Sequence, residues 1–206
     1  MHIGIVGNIG CGKTTLTRKL CEYYGWTPCY ESVAENPYLA DYYSDIPRWS
    51  FNVEVYFLAH RFNQVLEIAK SDKVIVQDRT LLEGVEVFVT NNYRQGNLSE
   101  RDYSTYMSLF RSMISTVKQP DLIIYIRSSV AHLVDQINKR GRDYEQSMSL
   151  DYLSGLNDLY EKWISEYPGK VLIIPGDKLD FENRPEDFAF VTDRVDASMF
   201  GLFNLN

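Results

Sequence analysis

The chain has 206 residues, enough for a full hydrophobic core, and its 45% hydrophobic and 24% charged content suits a globular protein rather than a fibrous or disordered one. A net charge of −7 argues against a nucleic-acid partner, although a small anion can still bind where positive charge is focused locally. No apolar run approaches a membrane span, a strand expected at residue 2 leaves no room for a signal peptide, and three cysteines without metal-ligand spacing read as reduced thiols, so a cytoplasmic protein is expected.

In chain order, short apolar runs at 2–6, 28–32, 73–77, 121–126 and 171–175 read as strands buried on both faces. Helical patterns separate them near 13–24, 47–70, 99–117, 130–140 and 149–167, with a weaker one from 185 to 196. The alternation predicts an α/β fold: one domain over 1–206 with a five-stranded parallel sheet, helices on its faces and right-handed crossovers. Function then belongs at the carboxyl ends of the strands, and unusual polar residues gather there: Glu31-Ser32, Asp78-Arg79-Thr80 and Arg127.

The segment after the first strand, Gly7-Asn8-Ile9-Gly10-Cys11-Gly12-Lys13-Thr14, fits the phosphate-cradling loop, with a strand before it and a helix after it. Its glycines let backbone N–H groups turn toward phosphate oxygens, and the helix N-terminus adds partial positive charge. Lys13 supplies a cation for the terminal phosphates and the Thr14 hydroxyl a ligand for Mg²⁺, so this run through Thr15 is the expected triphosphate site. Cys11 is either a small residue filling a loop position or a thiol whose pKa the neighbouring N–H groups lower.

Asp78 has the placement of a metal-binding carboxylate at a strand end, and it could equally cap the helix expected from Thr80. Glu31 and Arg79 should point into the crevice. There a carboxylate repels an acceptor that is already a phosphate ester, but it can take the proton of an alcohol and orient it for attack. The cluster Lys139-Arg140-Gly141-Arg142 reads as a lid (approximately 139–149) whose arginines close over the phosphates, rather than as a solvated helix end. On the 47–70 helix, Glu54 and Arg61 are seven residues apart and share a face with Phe51 and Leu58. That face is either a slot for a base or an amphipathic surface. His2, His60 and His132 have neither triad nor metal spacing.

Together these residues resemble the deoxyribonucleoside kinase family, especially its bacterial deoxyadenosine/deoxyguanosine kinase branch. The matching motifs are Gly7 to Thr14, Glu31-Ser32-Val33 with Glu35-Asn36-Pro37-Tyr38-Leu39, Arg48-Trp49-Ser50-Phe51, Asp78-Arg79-Thr80-Leu81-Leu82-Glu83 and Arg140-Gly141-Arg142. The resemblance spans about residues 1 to 181 and implies a P-loop kinase fold and ATP- and Mg²⁺-dependent phosphorylation of a deoxynucleoside 5′-hydroxyl in nucleotide salvage. It implies that Glu31 is the general base with Arg79 its partner, and that Tyr43 and Glu145 bind the 3′-hydroxyl. Arg140 and Arg142 become the lid arginines and Asp78 the acidic residue near Mg²⁺. It also implies a homodimer packed through parts of 47–70 and 99–117.

Two departures bear on the acceptor. Most members of the family read the base with a glutamine where this chain has Glu54, and many purine-preferring members carry an aspartate where it has Gly84. An ionised carboxylate only accepts hydrogen bonds, which favours guanine with its two adjacent donors, while Arg61 suits the O6 and N7 acceptors. Deoxyguanosine, then deoxyadenosine, is the expected acceptor; a plain Glu54–Arg61 salt bridge is the competing reading. A thymidylate-type monophosphate kinase would need extra cations in place of Glu31, and a non-catalytic relative should have lost Lys13, Glu31, Arg79 or the lid arginines.

Overall fold

A computed structural model describes residues 1–31, 35–142 and 148–201. Five strands form one parallel sheet in the order β2-β3-β1-β4-β5: β1 (His2–Val6), β2 (Thr27–Cys29), β3 (Ile75–Asp78), β4 (Leu122–Arg127) and β5 (Val171–Pro175). The α/β architecture expected from the alternating pattern is therefore the one observed. β1 is central and buried along its whole length, because its flanking strands and helices cover both faces.

β3 begins two residues later than expected, and β2 departs furthest from its expected boundaries, since it ends at Cys29 rather than residue 32. It is an edge strand with Pro28 in it, and beyond Cys29 the Tyr30 carbonyl accepts from the Gln64 side chain at 2.8 Å instead of continuing the ladder. Glu31 is thereby released from the sheet plane to reach the crevice.

The helices α1 (Lys13–Tyr24), α3 (Ile46–Ala69), α6 (Glu100–Ile114), α7 (Val130–Arg140), α8 (Leu150–Glu166) and α9 (Pro185–Phe200) follow the expected periodic segments, α9 running further than expected. α2 (Leu39–Ser44) was not signalled by periodicity, and neither was the extent of the helix after β3. That helix comprises α4 (Leu81–Glu83), a π-helical stretch over Gly84–Val89 and α5 (Thr90–Arg94). Its N-cap is Thr80 and not Asp78: the Thr80 hydroxyl accepts from Glu83 N and the Glu83 carboxylate accepts from Thr80 N, both at 3.2 Å. Asp78 is left in the strand, facing the loop after β1.

Three apolar clusters hold these layers. Ile3, Ile5, Leu16, Leu20, Ile124 and Val191 join the sheet to α1 and α9, whereas Ile123, Tyr125, Leu156 and Tyr160 join its other face to α8. Leu58, Val65, Leu81, Val85, Tyr106 and Phe110 form a separate helical core. Among the described residues no helix is long and apolar enough to cross a membrane.

Candidate active site

The loop after β1 turns tightly, with Gly7, Gly10 and Gly12 at φ 149°, 88° and 92°. At Gly7 a Cβ would lie 2.6 Å from Cys11 Sγ and 2.8 Å from the Ile126 carbonyl, so the residue has no substitute. Lys13 is buried inside the loop and donates to the Gly7 and Asn8 carbonyls at 2.8 and 2.9 Å. The Asn8 side chain points away from the crevice, donating to the Leu153 carbonyl and Asn157 Oδ1 on α8. The Cys11 thiol is also turned inward, into the core below α1. Burial pushes its pKa up despite the nearby Lys13 charge, so the activated-thiol alternative is corrected: Cys11 fills space.

Ile9, Gly10, Lys13 and Thr14 form one wall of a cavity of about 330 Å³. Across it the Thr14 hydroxyl donates to Asp78 Oδ2 at 2.6 Å. The two form a hard oxygen pair suited to Mg²⁺ together with phosphate and water oxygens; among the described residues no group of three or more His, Cys, Asp or Glu forms a protein-only metal cage. Burial raises the Asp78 pKa, opposed by the Lys13 charge and the Thr14 hydrogen bond.

The opposite wall is electrostatic. Arg79 is the one non-glycine residue with positive φ (70°) among the described residues, and its N–H donates to the Ile5 carbonyl at 3.0 Å. That conformation turns the guanidinium away from the sheet so that Nε meets Glu31 Oε2 at 2.8 Å and Nη1 meets Glu83 Oε1 at 3.3 Å. Arg61 closes on the other Glu31 oxygen, with Nε donating to Oε1 at 3.0 Å and Nη2 joining it. Burial alone would raise the Glu31 pKa, but the Arg61 and Arg79 charges outweigh it and hold the carboxyl below its ordinary value.

The plain Glu54–Arg61 salt bridge is therefore corrected: Arg61 is bound to Glu31, while both Glu54 and Arg61 line the cavity. Gly84 makes this possible, since a Cβ there would lie 2.6 Å from Arg61 Nη1. Glu54 instead accepts from Asn92 Nδ2 at 3.0 Å, and burial pushes its pKa up to about 7 against the Arg61 charge and that hydrogen bond.

Glu31, Tyr43, Glu54, Arg61, Arg79, Arg140 and Arg142 all line the cavity, joined by Val53, Phe57, Phe88 and Tyr152. Phe51 does not. With about 100° per residue, positions 53 and 57 fall on one side of the Glu54–Arg61 line and 51 and 58 on the other. Phe51 and Leu58 consequently pack into the helical core, and the aromatic wall is Phe57, whose ring lies 5.0 Å from the Arg61 guanidinium carbon. Arg140 and Arg142 flank Gly141, which ends α7 in a left-handed conformation. Glu145, with Ser32 and Val33, lies outside the described residues.

Besides unpredicted cavity residues such as Val53, Phe57, Phe88 and Tyr152, two residues behind the phosphate loop were missed. Glu83 is fully buried and its Oε1 accepts from Gly7 N at 3.2 Å and from the Tyr160 hydroxyl, tying the helix after β3 to the phosphate loop. The Thr80-x-x-Glu83 spacing of a capping box was its available signal. Tyr160, whose hydroxyl also lies 2.8 Å from the Gly7 carbonyl, had none beyond its place in an apolar stripe.

A protein-family model, deoxynucleoside kinase, matches residues 3–199. The chain belongs to this family, and it is an enzyme. Its deoxynucleoside kinase relatives include a deoxyadenosine/deoxycytidine kinase of Bacillus subtilis, 36% identical over 191 residues that cover 90% of this chain and 88% of the relative. A deoxyguanosine kinase of the same organism is 31% identical, covering 94% and 95%. The solved structure of the M. mycoides deoxyadenosine kinase with products dCMP and dCDP superimposes with a TM-score of 0.86 at 29% identity, covering 96% of this chain and all of that one (100%). The resemblance read from the motifs is thus upheld.

Proposed function

We propose that this deoxynucleoside kinase transfers the γ-phosphoryl group of ATP to the 5′-hydroxyl of a purine deoxyribonucleoside, with deoxyguanosine favoured over deoxyadenosine, in nucleotide salvage. The observation that carries the reading is Glu31, an ionised carboxylate clamped by two arginines opposite Lys13 in the same cavity. Arg61 donates twice to Oε1, but Oε2 has a single arginine contact and keeps a lone pair, so the carboxylate can accept the hydroxyl proton there and aim the oxygen at phosphorus. An incoming monophosphate would meet that negative charge instead.

Lys13 leaves the loop carbonyls for the phosphates, and Arg79, Arg140 and Arg142 spread the charge of the transferring group. Thr14 and Asp78 would hold Mg²⁺, which neutralises phosphate charge when bound. In this reading Tyr43 takes the deoxyribose 3′-hydroxyl and Phe57 and Glu54 take the base, a reading supported by their place on the cavity wall. Two copies of the chain pair through α3 and α6, whose Leu109 is 42% exposed.

The test is ATP consumption with deoxyguanosine against deoxyguanosine monophosphate, with the product identified. Turnover of the nucleoside to its 5′-monophosphate is expected; preferential turnover of the monophosphate overturns the reading. Light scattering in solution tests the dimer, and a monomer at micromolar concentration would contradict it.

A further inference from the structure

Glu54 sits at the end of a buried polar chain that fixes how its carboxyl is shared. The Tyr42 hydroxyl on α2 lies 3.3 Å from that of Tyr152 on α8 and donates to Asn92 Oδ1 at 3.2 Å, where Asn97 Nδ2 also donates at 3.4 Å. With two donors on its oxygen, the Asn92 amide can offer only its NH₂ to Glu54, and it does so to Oε1. Among the described residues this is the one hydrogen bond of Glu54, a residue that also lines the cavity. One oxygen is consumed by the protein and the other is left for the ligand.

We propose that Glu54 selects the acceptor base through this remaining oxygen, offering an acceptor to a 6-oxopurine when ionised and a donor to a 6-aminopurine when protonated. A glutamine at this position would lack the choice. Asn92 would hold its carbonyl, leaving the amide NH₂ as a permanent donor that suits the N1 acceptor of adenine. The ionised carboxylate meets the N1–H of guanine and repels the N1 lone pair of adenine; the protonated one reverses both contacts.

The groups facing Glu54 allow both states. From its own helix Arg61 is turned to Glu31; Tyr42, Tyr106 and Tyr152 face it from α2, α6 and α8; and Glu31 and Arg79 stand at the strand ends. The neighbouring hydroxyls are neutral, and the two strand-end charges are paired with each other. Burial without a cation of its own brings the carboxyl to titrate near neutrality.

The proposal rests on the deoxynucleoside kinase reading, and its test separates the two. The kcat/KM values for deoxyguanosine and deoxyadenosine are measured from about pH 6 to about pH 8.5 with the same ATP concentration, for wild type and Glu54→Gln. Neither base titrates in this range, and effects on Glu31 or on ATP cancel in the ratio of the two substrates. In wild type the deoxyguanosine-to-deoxyadenosine ratio should rise by at least tenfold across the range, as expected of one proton. In Glu54→Gln it should be flat and shifted toward deoxyadenosine. A wild-type ratio constant within about twofold overturns the proposal even if the variant does not fold, and so does an unchanged pH dependence in the variant. Failure to phosphorylate either nucleoside would overturn the kinase reading itself.

Discussion

Arg79 Nε meets Glu31 Oε2 at 2.8 Å from a backbone in the left-handed region, φ 70°. A side chain at that φ carries strain, and here it is held by the ladder bond to Ile5 and by charge pairing to Glu31 and Glu83. The guanidinium serves the two carboxylates from separate nitrogens, Nε and Nη1, a spread of donors that the single nitrogen of an ammonium does not reproduce. Arg79→Lys is therefore expected to lower kcat by about 100-fold or more while circular dichroism stays native, because positioned charge supplies most of this chemistry. Retention of kcat within about threefold would show that the fork is dispensable.

Removing the Glu83 carboxylate should loosen the phosphate loop. Glu83→Ala strips the partner from Gly7 N, the Tyr160 hydroxyl and Arg79 Nη1, all buried. We expect a loss of roughly 3 kcal/mol or more in urea unfolding and a raised KM for ATP. Tyr160→Phe, which leaves Arg79 paired, should cost about 1–2 kcal/mol. Equal losses in the two variants would contradict Glu83 as the hub.

Thr14 and Asp78 make a separate prediction. Their 2.6 Å hydrogen bond brings together two oxygens that would hold a divalent ion. Asp78→Asn should raise the Mg²⁺ concentration needed for half-maximal rate by tenfold or more, with the deoxynucleoside KM little changed. Mg²⁺ titration of initial rates decides, and an unaltered requirement would remove Asp78 from the metal site.

How much of this was readable in the chain differs from element to element. The strands and the phosphate loop were legible because continuous β-branched runs and a glycine-spaced motif are local signals. The strand-end placement of Glu31 and Arg79 followed from topology alone. What was not legible depends on which side of a helix faces what: Phe51 and Phe57 are both apolar residues of α3, and only packing against α6 and α4 sends one to the core and the other to the cavity. The partner of Arg61 was hidden for a similar reason. Proximity along α3 suggests Glu54, while the release of Glu31 from a short edge strand and the empty space at Gly84 bring the other carboxylate to it.

Glu54 also has a stability consequence, with the sign set by its raised pKa. Between the ordinary carboxyl value of 4.5 and about 7, the folded protein keeps a proton that the unfolded chain has released, so stability falls as pH rises through this window. The full difference is about 3 kcal/mol. Glu54→Gln should thus raise the unfolding free energy more at about pH 8 than at about pH 5, as checked by urea melts at the two values. An equal change at both would place the Glu54 pKa near its ordinary value.

The role of Glu31 is tested most directly by Glu31→Gln, which keeps the side chain's shape but removes its charge. Single-turnover phosphoryl transfer and equilibrium ATP binding are measured on the same preparation. Transfer slowed by about 100-fold or more, with ATP affinity within about threefold of wild type, is the predicted result. Transfer within about threefold of wild type would contradict Glu31 as the group that takes the hydroxyl proton.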